Sequence, residues 1–298
     1  MPLKKIASIA IPDARNTQFD HGAFDPKTRR VFIAHTARDR LEVIDHDRSS
    51  HLASLAGFKE AAGVIADDGQ VLVTNRGDAS LAWVDGTTLR ARAVFPTGPR
   101  PNGVAIVSGR GLAIVGCIGD DHNAPELQVL RLDGQGRWSL ALPGRPRWCV
   151  TDSAGDCVFI AIREPSMVLS AELPELGGVK RWMLPSTGAH GLDIDHERHR
   201  LYVACDGGAL VQVDSTSGTV AGQWPLAGAP DATWFNPSSG LVHVAIEQPG
   251  VVQSIDPEAG VSTEFQTGSG AKTTALVRPR TLYVFSPAAA GALVLAEV

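Results

Sequence analysis

Residues His21, Ala62, Asn102, Trp148, His190, Asp231 and Lys272 recur along a 298-residue chain at spacings of 41, 40, 46, 42, 41 and 41. In four of the seven places a glycine follows directly: His21-Gly22, Ala62-Gly63, Asn102-Gly103 and His190-Gly191. Two imidazoles, a carboxylate, an amide and an ammonium at one repeating position form a set that can bind a metal, move protons or hold an anion. Ala62 shows that the position itself accepts a methyl group, so the polar side chains elsewhere need a reason beyond the fold. His21, Asn102 and His190 fall in units one, three and five, close to three-fold spacing around a ring of seven, and Asp231 falls in the widest gap. This set predicts a divalent metal held by His21, Asn102, His190 and Asp231, with Zn, Mn or a similar ion favoured over Ca by the imidazole nitrogens. The competing reading is a wet channel in which the same groups hydrogen-bond water.

The elements that must position these residues repeat with the same period. After each ring residue comes a short apolar strand, then a turn such as "DPKTRR", "ADDGQ" or "DHERHR". A strongly apolar strand follows, among them "VFIAH", "VLVTN", "VFIAI" and "LYVAC", and then a third that often ends in aspartate, as in "LEVID", "LAWVD" and "LVQVD". No segment shows helical periodicity. Units of four antiparallel strands at 40–45 residues are the pattern of propeller blades. The seventh unit supplies only three strands before Val298, and the apolar segment "KKIASIAIP" near the N-terminus supplies the fourth. The fold class expected is therefore all-β, a seven-bladed β-propeller over residues 1–298 as one domain, closed by the N-terminal strand completing the last blade.

In such a blade the start of the innermost strand and the end of the second lie on the same face. The ring residues thus share the channel mouth with a second tier: His35, Asn75-Arg76, Cys117, Arg163-Glu164, Cys205-Asp206, Glu247 and Ser286. The longest unit carries an extra loop, "GDDHNAPE" at 119–126, that would lie over this face. His122 in that loop is read as solvated, and His46, His51, His196 and His199 as surface residues of turns on the far face or the outer rim. Glu247 or His35 is the expected general base. Lys272 and Arg163 are expected to hold negative charge, with Arg76 on the same side and an exposed Trp148 as a substrate platform. Arg76, Arg100, Arg145, Arg147 and Arg163 gather in blades two to four, whereas acids and imidazoles concentrate in blades one, five and six. That asymmetry suits an anionic small molecule.

The stretch "VLVTNRGDASLAWVD" (71–85) resembles the YVTN-type propeller repeat, with "VFIAHTARDRLEVID" and "LYVACDGGALVQVD" as looser copies. The resemblance spans the whole chain as a repeat pattern. It implies a propeller like those of lactonase-like hydrolases and streptogramin-lyase-like enzymes, and it includes propellers that only bind. The all-oxygen calcium ligands of six-bladed lactonases have no counterpart in this ring. The function expected is a metal-assisted hydrolase or lyase acting on a small ester, lactone or phosphoester; the alternative is a non-catalytic ligand- or protein-binding module.

Composition bounds these readings. Apolar residues make up 44% and charged residues 20%, with a net charge of −5. That balance argues against nucleic acid as a partner. No apolar run reaches the roughly 18 residues of a spanning helix, so no membrane is expected. The N-terminus lacks a signal-type apolar core before Pro12, and the four cysteines show no CxxC spacing. A cytoplasmic monomer with free thiols is the expectation.

Overall fold

A computed structural model of the chain describes all residues, 1–298. It contains seven four-stranded antiparallel sheets arranged as the blades of a propeller. Six sheets are contiguous in sequence. Blade five, for example, runs through Ala189–Asp195, Arg200–Cys205, Ala209–Asp214 and Val220–Pro225 in spatial order. In blade seven the strands Thr273–Val277, Thr281–Ser286 and Gly291–Glu297 are completed by Leu3–Ala10, which pairs antiparallel with Gly291–Glu297 from Leu3↔Glu297 to Ala10↔Gly291. Both ends of the chain are thereby tied into one sheet, and the last blade has no missing outer strand.

Each strand's composition follows from its radial place. Second strands such as Leu241–Ile246 are buried along their whole length, because both faces of the sheet lie against neighbouring blades, and they are continuously apolar or nearly so. Outer strands such as Ser50–Ala56 alternate exposed and half-buried residues, as expected where one face is solvated. The aspartates that end third strands shape the following turns. Asp85 Oδ1 accepts the backbone N–H of Thr87 at 3.0 Å and of Thr88 at 2.8 Å. Asp214 Oδ1 does the same for Thr216 at 3.0 Å and Ser217 at 2.7 Å.

The innermost strands carry the device that aims the ring. In blades two to six the register shifts within the first few residues: Ala61/Val64, Pro101/Val104, Pro146/Cys149, Ala189/Gly191 and Pro230/Thr233. Each shift encloses the ring residue of its blade. A bulge leaves one residue outside the ladder and re-aims its side chain. The small residue that follows has a steric cause. A Cβ on Gly103 would stand 2.1 Å from the carbonyl oxygen of Arg147 in the next blade, and one on Gly191 would stand 2.4 Å from that of Asp231. Successive blades pack backbone to backbone here, which is what brings seven ring positions around one narrow mouth.

Candidate functional site

The ring positions converge as their spacing predicts. His21, Asn102, Trp148, His190, Asp231 and Lys272 line one cavity of about 170 Å³, together with Asp20, Arg76, Arg145 and Arg147. It opens onto a wider vestibule of about 420 Å³, which shares Arg147, His190, Asp231 and Lys272 and adds Arg163, Asp206, Glu247 and Gln248.

Both imidazoles are held by carboxylates. His21 Nδ1 lies 2.6 Å from Asp20 Oδ1, and His190 Nδ1 lies 2.8 Å from Asp206 Oδ1. An ionised carboxylate at Nδ1 requires the proton there, which leaves Nε2 as the atom free to take or give a proton. His190 Nε2 sits 3.6 Å from Asp231 Oδ1. Burial alone would raise the Asp20 carboxyl, but Arg76, with Nη2 2.8 Å from Asp20 Oδ2, and then His21 hold it far below the ordinary carboxylate range. Burial likewise opposes ionisation of Asp206, and hydrogen bonding to His190 and the charge of Arg163, whose Nε donates to Asp206 Oδ2 at 2.8 Å, override it. Both aspartates are thus anions at neutral pH and keep their imidazoles in a fixed tautomer and orientation.

The cations are less evenly matched. Arg76 is neutralised by Asp20 and also donates to Asn102 Oδ1. Lys272 Nζ lies 3.9 Å from Asp231 Oδ2 and 4.0 Å from Glu247 Oε2. Arg145 and Arg147 have no carboxylate in ion-pair contact, and the buried Nε of each meets no acceptor. Burial pulls the Arg147 guanidinium down to about 10, with the charge of Arg145 adding to it, and Arg145 is lowered by burial and by Arg163, Arg100 and Arg76. Two guanidiniums that line one cavity with no carboxylate in ion-pair contact leave donors open to an oxyanion.

Several expectations are corrected. The donor set does not fit a divalent metal. Asn102 Oδ1 is taken by Arg76, and no group of three His, Cys, Asp or Glu side chains is placed to hold a metal ion. The cations Arg76, Arg145, Arg147 and Lys272 line the inner cavity against the carboxylates Asp20 and Asp231, so a further dication would enter a field that repels it. His35 is not a mouth residue. It is 0% exposed, with Nδ1 2.9 Å from Glu42 Oε1 and Nε2 2.8 Å from Thr17 Oγ1, and it cannot serve as a base for a substrate in the channel. Trp148 is not an exposed platform. It is 7% exposed and stacks face to face on His21, with ring centroids 4.0 Å apart and planes at 6°. His46 and His51 are structural rather than free surface groups: His46 Nδ1 meets the Tyr283 hydroxyl at 2.9 Å and His51 Nε2 meets Glu42 Oε2 at 2.8 Å. The 119–126 loop folds back on its own blade, with Gly119 N–H donating to Pro99 O at 3.1 Å, and lines neither cavity. Burial pushes the Cys117 and Cys205 thiols up to about 12, which keeps them protonated at neutral pH, as expected of buried free thiols.

Asp20 is the site residue that the repeat reading passed over. Its signal was its place directly before His21, at the one ring histidine that no second-tier carboxylate serves. Asp206 stood in the second tier without a role, and its role as the partner of His190 emerges only from the geometry.

Fold and site together define a seven-bladed β-propeller with a polar, arginine-rich channel mouth. No protein-family model matches the chain, and no curated protein matches its sequence at a significant level, so the YVTN-type likeness is one of repeat pattern. Solved structures resemble it over nearly its whole length. A chain of the Kuenenia stuttgartiensis hydrazine synthase has a TM-score of 0.81 at 13% identity, covering 95% of this chain and 96% of its own. A streptogramin B lyase has a TM-score of 0.79 at 12% identity, covering 99% and 97%. The virginiamycin B lyase of Staphylococcus aureus has 0.79 at 12%, covering 100% and 99%. At these identities the likeness concerns the fold.

Proposed function

We propose that this propeller is a lyase-type enzyme that takes a small carboxylate at the channel mouth and moves protons with His21 and His190, without a metal. The observation that carries the reading is the meeting, in one cavity, of two carboxylate-held imidazoles with the unpaired guanidiniums Arg145 and Arg147. The arginines bind the substrate carboxylate and stabilise the charge that develops on it when a neighbouring C–H proton is removed. One imidazole takes that proton at Nε2. The other, entering as the imidazolium, gives its Nε2 proton to the leaving group as the C–X bond breaks, and the C–H electron pair becomes the new double bond. Asp20 and Asp206 stabilise whichever imidazole is charged. Two of the similar solved structures are lyases by name, which is compatible with this class of reaction.

Elimination from a panel of small carboxylates bearing a β-leaving group, followed by the ultraviolet absorbance of the conjugated product, tests the proposal. His21→Gln and His190→Gln are expected to lower kcat by about 10²–10⁴-fold while substrate binding persists. Arg147→Gln is expected to raise KM, and prolonged chelator treatment to change nothing. Loss of turnover with a chelator, or full activity of both histidine variants, overturns it. Tight anion binding with no turnover of any panel member leaves a binding propeller instead.

A further inference from the structure

The inner cavity and the vestibule differ in charge balance, and the difference specifies more of the substrate than its anionic head. This inference rests on the anion-binding reading above. At about 170 Å³ the inner cavity holds a carboxylate or phosphate and a few further atoms, since one water occupies about 30 Å³ of liquid. Anything larger must continue into the vestibule over blades four to seven.

Trp148 is the one apolar residue lining the inner cavity, and Ala229 and Pro230 are the two lining the vestibule. An aliphatic or aromatic tail in the vestibule would displace water from charged groups and return no hydrogen bonds, a loss at every group covered. An anionic tail would face Asp206, Asp231 and Glu247, and a cationic one would face Arg147, Arg163 and Lys272. Donors and acceptors alternate: the Arg163 Nε bond to Asp206 leaves the rest of that guanidinium free to donate, and Glu247 stands half-exposed 4.0 Å from Lys272. A chain of hydroxyls both donates and accepts at each position, so it satisfies such a wall without net charge.

We infer that the substrate is a polyhydroxylated acid, its oxyanion head on Arg145 and Arg147 and its hydroxyl-bearing chain along the vestibule past Arg163, Asp206, Glu247 and Gln248. A sugar carboxylate and a sugar phosphate share this chemistry.

Calorimetric titration of the full chain tests it with gluconate, galactonate, glucuronate and glucose 6-phosphate, against hexanoate, acetate, inorganic phosphate and glucose. The best sugar acid is expected to bind at least about tenfold more tightly than hexanoate or acetate, and glucose not at all. The aldonate and phosphate arms identify which head is preferred. Glu247→Ala and Gln248→Ala, with unchanged melting temperature as the check on folding, are expected to weaken the sugar acids several-fold and to narrow their margin over acetate. If hexanoate binds as well as every sugar acid, the polyol class is wrong while the anion site stands. If no anion binds, or if Arg147→Gln leaves every affinity unchanged, both the anion reading and this inference fail.

Discussion

Arg147 is expected to destabilise the protein that carries it. Its guanidinium is lowered from the ordinary arginine range to about 10, chiefly by burial and then by Arg145. For a cation, a depressed folded-state value means that the charged form is penalised on folding. At pH 7, below both values, the penalty is fully present, and it fades only as pH rises through about 10 towards the ordinary arginine range. At 1.36 kcal/mol per pH unit the shift corresponds to about 3 kcal/mol. The side chain is partly exposed, and solvent screening reduces that to about 1–2 kcal/mol. Arg147→Gln removes the charge and keeps part of the stem and a polar head. With an unfolding entropy of about 2.1 cal/mol/K per residue, the gain amounts to a rise in Tm of about 2–3 °C.

Calorimetry at pH 7 and low ionic strength reads this directly. Salt supplies a control for the share due to Arg145: that repulsion is screened as the Debye length falls from about 10 Å at 0.1 M to about 3 Å at 1 M, so the difference between wild type and variant should shrink in part, while the share due to burial remains. A bound anion supplies the second control. At a hundred times its Kd, a ligand stabilises the native state by about 2.7 kcal/mol, and the wild type should gain this from an accepted carboxylate while the variant should not. A variant that melts below the wild type at low salt, with both proteins stabilised equally by the anion, would refute the argument that these guanidiniums are an unneutralised receptor.

Two further outcomes concern how the ring is held. Deleting residues 1–10 strips the strand Leu3–Ala10 from blade seven along with the buried Leu3 and Ile9, and the lost burial of these two side chains alone costs about 3–6 kcal/mol, read as a large fall in Tm or as aggregation through the exposed edge. Glu297 bridges blades six and seven by accepting from Asn236 Nδ2 and lying against His243 Nε2, each at 2.7 Å; Glu297→Ala should cost about 1–3 kcal/mol by leaving His243 Nε2 buried without a partner and Asn236 Nδ2 with Pro279 O alone. Burial opposes ionisation of Glu297, but His243 and Asn236 hold its carboxyl below the usual range, so its contribution is present above that range and is lost as pH falls through the lowered value. Wild type should therefore lose stability in acid over a window where Glu297→Ala does not, as followed by Tm against pH.

How far the sequence could be read follows from which physical rule governs each feature. The blade count, the closure by the N-terminal strand and the identity of the ring were legible because a repeat of about 41 residues and a residue-plus-small-residue step both report backbone geometry, and the bulges at Pro101/Val104 and Pro146/Cys149 are the structural counterpart of that step. His35 was misplaced because the end of a second strand lies near the mouth but its side-chain direction depends on strand parity, and parity sends it between the sheets onto Phe19 and Glu42. Trp148 was placed at the right position with the wrong exposure. Period and spacing say that a side chain points to the axis, and they do not say that another ring, His21, will cover it. The metal expectation rested on a similarly partial count. Ligand types were counted around the ring without the guanidiniums of Arg145 and Arg147, which enter the same space from the strand that carries Trp148 and the turn before it.

Ala62 gives the baseline for what the fold itself requires at the mouth: a bulge, a methyl group and a following glycine. Seven such positions would close the ring with no charge to bury. The chain instead places four permanent cations against two carboxylates in about 170 Å³ and leaves two of the cations without partners. That arrangement opposes folding, and what offsets it lies elsewhere, in the apolar packing between blades and the locked seventh sheet. An oxyanion is the one species that turns the same arrangement from repulsion to attraction without moving a side chain. The destabilisation of the empty mouth and its affinity for an anion are thus two measurements of one electrostatic quantity. Substitutions at Arg145 and Arg147 should trade them against each other: each gain in the Tm of the free protein should appear as a matching loss in the free energy of anion binding. A variant that gains stability and keeps its affinity would break that equivalence and place the anion somewhere other than on these two residues.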